Sequence, residues 1–328
     1  MEFVIENHIR EFGTTRARGQ YSDATIKNYI SSIRSLHRMV NGKDAMFDDL
    51  EWARDHDNVF KVVAQKENVQ TRRNLINGLI VSLQTVGYTH DTIKPYEDLR
   101  DQYNSQYVQA GHLTPKQTTI MTAVKKEHIL GFLTQESLDP SLSTDLTRFS
   151  CWCILSLHTA YPFRNELGTM RFVRRVLYDK MSDEQKKVNN WVILDKGFAQ
   201  MTFALTNYKT QKTYGIKEIA VEPKYTRYLL KMAQLREIPL SDIHNVPVFV
   251  TKDKTPFNKN KVSKYLSEYT QKGLGHPIST TLLAKIFGTV CADPLHPTPA
   301  ELNQMSKEAD IRGHSLATKF QVYGQLAE

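Results

Sequence analysis

The chain has 328 residues, 40% of them hydrophobic and 24% charged, with a formal net charge of +8. That length allows two domains with separate cores, and that composition excludes a collagen-like, low-complexity or disordered chain. The positive balance favours a polyanionic partner such as nucleic acid, set against a merely solvated basic surface. Cys151, Cys153 and Cys291 make no even disulfide framework, and the single residue between the first two is not the spacing of a zinc pair. The chain therefore reads as intracellular and reduced, with no metal. No apolar run approaches the length of a membrane span, and the mixed, acidic N-terminus is not a signal peptide.

Residues 1–112 read as a helical domain of four or five helices. Ser22-Asp23 precedes Ile26, Ile30, Ile33, Leu36 and Val40, a helical stripe that Asn41-Gly42 ends. Lys27, Arg34 and Arg38 lie off that stripe, as a nucleic-acid face or as a solvated one. Leu75, Leu79, Ile80, Leu83 and Val86 form a second stripe, preceded by the basic pair Arg72-Arg73. A third, more polar segment runs from Asp91 to Gln109. Residues 113–123 break the periodicity and read as a linker. A flexible joint there would let two domains close around a duplex.

The second domain, residues 124–328, opens with a helix from Lys125 through Leu133 and a turn at Asp139–Thr144. A long apolar helix, Leu146 to Ala160, runs into Thr-Ala-Tyr-Pro-Phe-Arg-Asn-Glu-Leu, where Pro162 stops the helix and Arg164 opens the next turn. An Arg behind a helix breaker on an apolar segment suits a pocket better than open surface. Val188–Leu194, Gln200–Leu205 and Ile216–Val221 change period and read as a small antiparallel sheet. The fold class is thus mainly α with a small antiparallel β-sheet. The last hairpin carries Lys209-Thr210 and Lys212-Thr213. Beyond it come a helix from Lys224 to Arg236, a short strand Pro247–Val250, and a basic helix Asn258–Gln271. Lys259, Lys261 and Lys264 on that helix suit phosphate contacts or simple solvation. Pro277 to Thr289 opens another helix, and Pro297 to Asp310 forms one more. The run Gly313-His314-Ser315 then begins a short helix, with Ser315 or Asp310 as its cap, and Tyr323 follows His314 by nine residues.

Gly-His-Ser, then a Thr, then a Tyr at this spacing resembles the C-terminal box of the tyrosine recombinases, the phage-type integrases. Pro-x-Arg-Asn-Glu at Pro162–Glu166 resembles their first box, in a form closer to recombinases of large DNA viruses and mobile elements. There the acid, Glu166, stands two residues after Arg164 instead of three. Lys209-Thr210 matches the family's hairpin Lys, with Lys212 as competitor. The second box departs from the pattern: Thr281 takes the His position and Ala284 the Arg position, with Lys285 directly after.

The resemblance implies a helical core-binding domain and a catalytic domain acting together on double-stranded DNA. It implies a homotetramer on paired DNA sites, and no cofactor. Tyr323 would attack a phosphodiester to give a 3′-phosphotyrosyl link and a free 5′-hydroxyl. Arg164 would clamp the phosphorane, Lys209 would protonate the leaving oxygen, and His314 would donate to a non-bridging oxygen. Without an Arg at 284, the missing charge falls to Lys285 or Arg312, or the chain is slow, or it is a DNA-binding protein on the same fold that no longer cuts. A relaxing topoisomerase of the related type is a further reading. The residues after Tyr323 are too few for a long C-terminal exchange helix, so protomer contacts are expected elsewhere, or the protein continues beyond residue 328.

Overall fold

The computed structural model describes residues 2–14, 20–109, 113–195, 198–288 and 297–323, without the side chains of 2, 3, 13, 14 and 320–323. Cys291 and residues 324–328 lie outside the described residues. The chain divides into two compact units, Met1–Thr114 and Pro115–Glu328.

Among the described residues of the first unit the elements are helices: α1 (Glu2–Thr14), α2 (Asp23–Asn41), α3 (His56–Ala64), α4 (Val69–Val86) and α5 (His90–Gln109), with a 3-10 turn at Glu51–Arg54. Ser22 Oγ accepts from Thr25 N at the start of α2, and Gly42 closes it. Asn68 caps α4, whose end turns on Gly87 in the left-handed region. The apolar stripes meet inside, where Ile9, Ile26, Ile33, Leu79 and Tyr96 are fully buried. The Tyr96 hydroxyl stays satisfied there by donating to the Ala53 carbonyl at 2.6 Å.

The second unit begins where a linker was expected. Pro115–Ala123 is a helix, α6, and its Ile120 is buried in this unit's core. One buried apolar residue in a polar helix leaves no periodicity to read. Then come α7 (Lys126–Leu138), a 3-10 turn (Pro140–Thr144) and α8 (Leu146–His158), buried along its whole length from Phe149 onwards. Asp145 caps α8 through Thr147 N and Arg148 N. Arg148 is anchored by Glu136 at 2.6 Å and Asp139 at 2.7 Å.

The sheet has four strands in the order β1 (Met170–Arg174), β2 (Asn190–Leu194), β3 (Met201–Leu205) and β4 (Lys217–Ala220). It is mixed, not purely antiparallel. β1 runs parallel to β2, reached through two short helices, α9 (Arg175–Tyr178) and α10 (Asp183–Lys187). A parallel pair needs such a crossover, whereas the antiparallel pairs β2–β3 and β3–β4 do not. Between β3 and β4 lies a short helix, α11 (Gln211–Tyr214), followed after the sheet by α12 (Pro223–Gln234). The segment expected as a strand at 247–250 makes only isolated bridges; within it Val248 N donates to Met170 O at the edge of β1 away from β2.

The unit closes with α13 (Lys259–Leu274), α14 (Thr280–Ile286), α15 (Pro299–Arg312) and α16 (Leu316–Tyr323). Gly168, just after Arg164, lies against α13 so closely that a β-carbon would fall 2.5 Å from Asn258 O. Of the described residues, no helix is long and apolar enough to cross a membrane.

Candidate active site

Arg164 precedes a 3-10 turn, Asn165–Thr169, rather than an α-helix. The Glu166 carboxylate folds back and accepts from Arg164 N at 2.7 Å, which fixes the turn. Asn165 ties the turn to two helices: its Nδ2 donates to Ser263 Oγ on α13 at 2.8 Å, and its Oδ1 accepts from Thr280 Oγ1 on α14 at 2.9 Å. Arg164 Nη1 is buried and has no hydrogen-bond partner among the described residues. A buried guanidinium donor left this way carries a desolvation cost that an incoming anionic oxygen would relieve.

Asn190, fully buried at the start of β2, joins this turn to the connection after β3. Its Nδ2 donates to Thr169 Oγ1 at 2.9 Å and Asn207 O at 3.0 Å. Its Oδ1 accepts from Thr206 N and Asn207 N, both at 2.9 Å. Lys209 therefore follows a pinned backbone. Its side chain is exposed in a turn, and Lys212 is exposed on α11. Thr210 Oγ1 donates to Gly313 O at 2.7 Å, which brings the connection beside His314. Below it Lys217 Nζ reaches Asp310 Oδ1 at 2.6 Å and also the Asp310 carbonyl.

Gly313 ends α15 with φ +68, and a β-carbon there would meet Thr210 Oγ1 at 2.5 Å. The motif's glycine is thus required twice, by conformation and by close approach. Ser315 is the cap of α16, accepting from Thr318 N at 3.2 Å. Asp310 is engaged by Lys217 instead.

His314 is half-buried, with Nδ1 3.3 Å from Ser315 O. A carbonyl only accepts, so Nδ1 carries the proton. Burial pushes the imidazole down to about 4, and the charges of Arg312, Arg164 and Lys319 push the same way. A neutral ring with its proton on Nδ1 presents Nε2 as an acceptor. This differs from the donor role that the resemblance implies for His314.

Arg312 is buried, and its Nη1 donates to Pro162 O at 3.0 Å, at the bend that leads into Arg164. Lys285 is also buried, and burial with the Arg312 charge holds it down at about 8. Ala284 is buried beside it on α14, with no group to offer. Lys319 is ion-paired with Glu308 at 2.5 Å. Tyr323 ends α16, and its side chain lies outside those described.

Arg164, the Lys209 connection, Lys285, Arg312 and His314 are thus brought together in the second unit. The other basic residues named from the sequence lie on other elements. Lys27, Arg34 and Arg38 are exposed along one face of α2. Arg72 is occupied by carbonyls at the end of α3, donating to Lys66 O at 2.5 Å and Ala64 O at 3.0 Å, and Arg73 lies over the Tyr107 ring. Lys259 and Lys264 are exposed on α13, while Lys261 donates to Pro256 O at 3.2 Å. Glu308, Lys319, Asn165 and Asn190 were not singled out in the sequence. Only Lys319 had a readable signal, four residues before Tyr323 on one helix.

In comparison with known proteins, no protein-family model and no curated protein matches the sequence. Among solved structures, the chain is similar to XerA recombinase, over 99% of this chain and 94% of that one, at 14% sequence identity and a TM-score of 0.39.

Proposed function

We propose that this chain is a DNA strand-breaking and rejoining enzyme of the tyrosine-recombinase kind, acting on duplex DNA through a 3′-phosphotyrosyl intermediate. The observation that supports it most is the meeting of Arg164, the Lys209–Thr210 connection and His314, far apart in sequence, around the start of α16. In this reading the scissile phosphate lies against Arg164, whose buried Nη1 supplies a donor. The Tyr323 oxygen forms a bond to phosphorus while the bond from phosphorus to O5′ breaks. The phenol proton passes to Nε2 of neutral His314, and Lys209 gives a proton to the leaving O5′. A 5′-hydroxyl attacking the phosphotyrosine reverses the step. Exposed Lys27, Arg34 and Arg38, with Lys259 and Lys264, would contact backbone phosphates. Four such protomers would act on two paired sites.

The test is covalent trapping on a pool of nicked duplexes of randomised sequence. A labelled adduct that Tyr323→Phe abolishes supports the reading. Ala284 favours a second reading, a DNA-binding protein that no longer cuts. That reading predicts salt-sensitive DNA binding with no adduct.

A further inference from the structure

Among the described residues, Lys319 and Glu308 form the most deeply buried ion pair, with side-chain exposures of 3% and 9%. Gln304 Nε2 holds the other carboxylate oxygen at 3.2 Å. A buried pair of this kind is seldom the cheapest way to fill space, because desolvation offsets much of the attraction. Its place offers a better reason. A β-carbon built on Gly288 would fall 2.6 Å from Ala284 O and 2.7 Å from Lys319 Nζ. The ammonium therefore stands beside Gly288, just past the end of α14, the helix on which the resemblance expects an arginine and this chain has Ala284. The Lys319 charge also acts on His314. Along α16, position 319 is one helical turn before position 323, on the same face.

We propose that Lys319, held in place by Glu308, is the fixed positive charge that stands in for the arginine absent at 284 and readies Tyr323 for attack. This rests on the function proposed above. Lys319 is too buried to touch DNA, so it is a positioning residue acting through Tyr323 and His314. Its charge favours the phenolate that develops at Tyr323 and disfavours the imidazolium at His314, so that the ring stays neutral and able to take the phenol proton.

The test is the pH dependence of adduct formation on the randomised nicked pool, in the full chain. Lys319→Met is expected to slow adduct formation about tenfold or more at neutral pH and to move the acid limb upward. Lys319→Arg keeps the wild-type limb. Glu308→Gln, which leaves the lysine charge less balanced, moves the limb downward. A packing role alone would not move the limb in opposite directions, and the Arg and Gln variants decide the matter if the Met variant does not fold. Adduct formation that depends on Tyr323 but keeps its rate and pH profile in these variants overturns the role of Lys319. A wild-type chain that forms no adduct, or a Tyr323→Phe chain that still does, overturns the underlying function and this inference with it.

Discussion

Thr210 Oγ1 donates to the Gly313 carbonyl across 2.7 Å, joining segments 103 positions apart. That bond sets the Lys209 turn against the Gly-His-Ser turn. Gly313→Ala would place a methyl 2.5 Å from the same hydroxyl and force a side-chain residue to φ +68. The left-handed conformation alone costs about 1–2 kcal/mol. Thermal unfolding should show a midpoint lower by several degrees, and any DNA-cutting activity should fall further than the stability loss explains.

Asn190 is satisfied by four hydrogen bonds to Thr169, Thr206 and Asn207. Asn190→Ala would leave the buried Thr206 N–H and the part-buried Asn207 N–H without their acceptor. The expected cost is about 2–4 kcal/mol. Denaturant unfolding measures it directly; a change below about 0.5 kcal/mol would mean that the β2–β3 end is held by something else.

Lys285 titrates at about 8 in the fold against an ordinary 10.5. Between these values the unfolded chain holds more protons than the folded one, so stability rises with pH across that window and is lost as pH falls through about 8. The change is at most roughly 3 kcal/mol for one buried lysine. Lys285→Met should remove this slope and stabilise the chain near neutral pH. Urea midpoints taken from pH 7 to 10 give the comparison.

The two described cysteines are buried on α8. Burial pushes the Cys151 thiol up to about 12 and the Cys153 thiol further. Both should resist iodoacetamide in the folded chain and react on unfolding, because the thiolate is the reactive form. Prompt labelling at either position under native conditions would contradict the burial of α8.

Much of the helical framework was legible because apolar residues at 26, 30, 33 and 36, or 75, 79, 80 and 83, can only bury together on helices. The ends were legible where Ser22 or Gly42 carries a cap. α6 was not, since Ile120 alone marks it in a polar stretch. β1 was hidden for another reason: five residues directly after the Arg164 turn are too short a run to declare a period, and its partner β2 lies beyond two helices. For the candidate site, Arg164, Lys209, His314 and Tyr323 stood out by residue type and order. Asn190 and Glu308 did not, because a buried polar residue looks like any other until its partners arrive from distant strands and helices. The proton position on His314 likewise depends on the Ser315 carbonyl, which no spacing reveals.

Covalent trapping on labelled, nicked duplexes of randomised sequence tests the central claim most directly. A nick a few nucleotides beyond the cut lets the strand with the free 5′-hydroxyl leave, so the intermediate accumulates. The account predicts a protein–DNA adduct with the wild-type chain and none with Tyr323→Phe. DNA binding that is salt-sensitive in both chains but yields no adduct in either would contradict it.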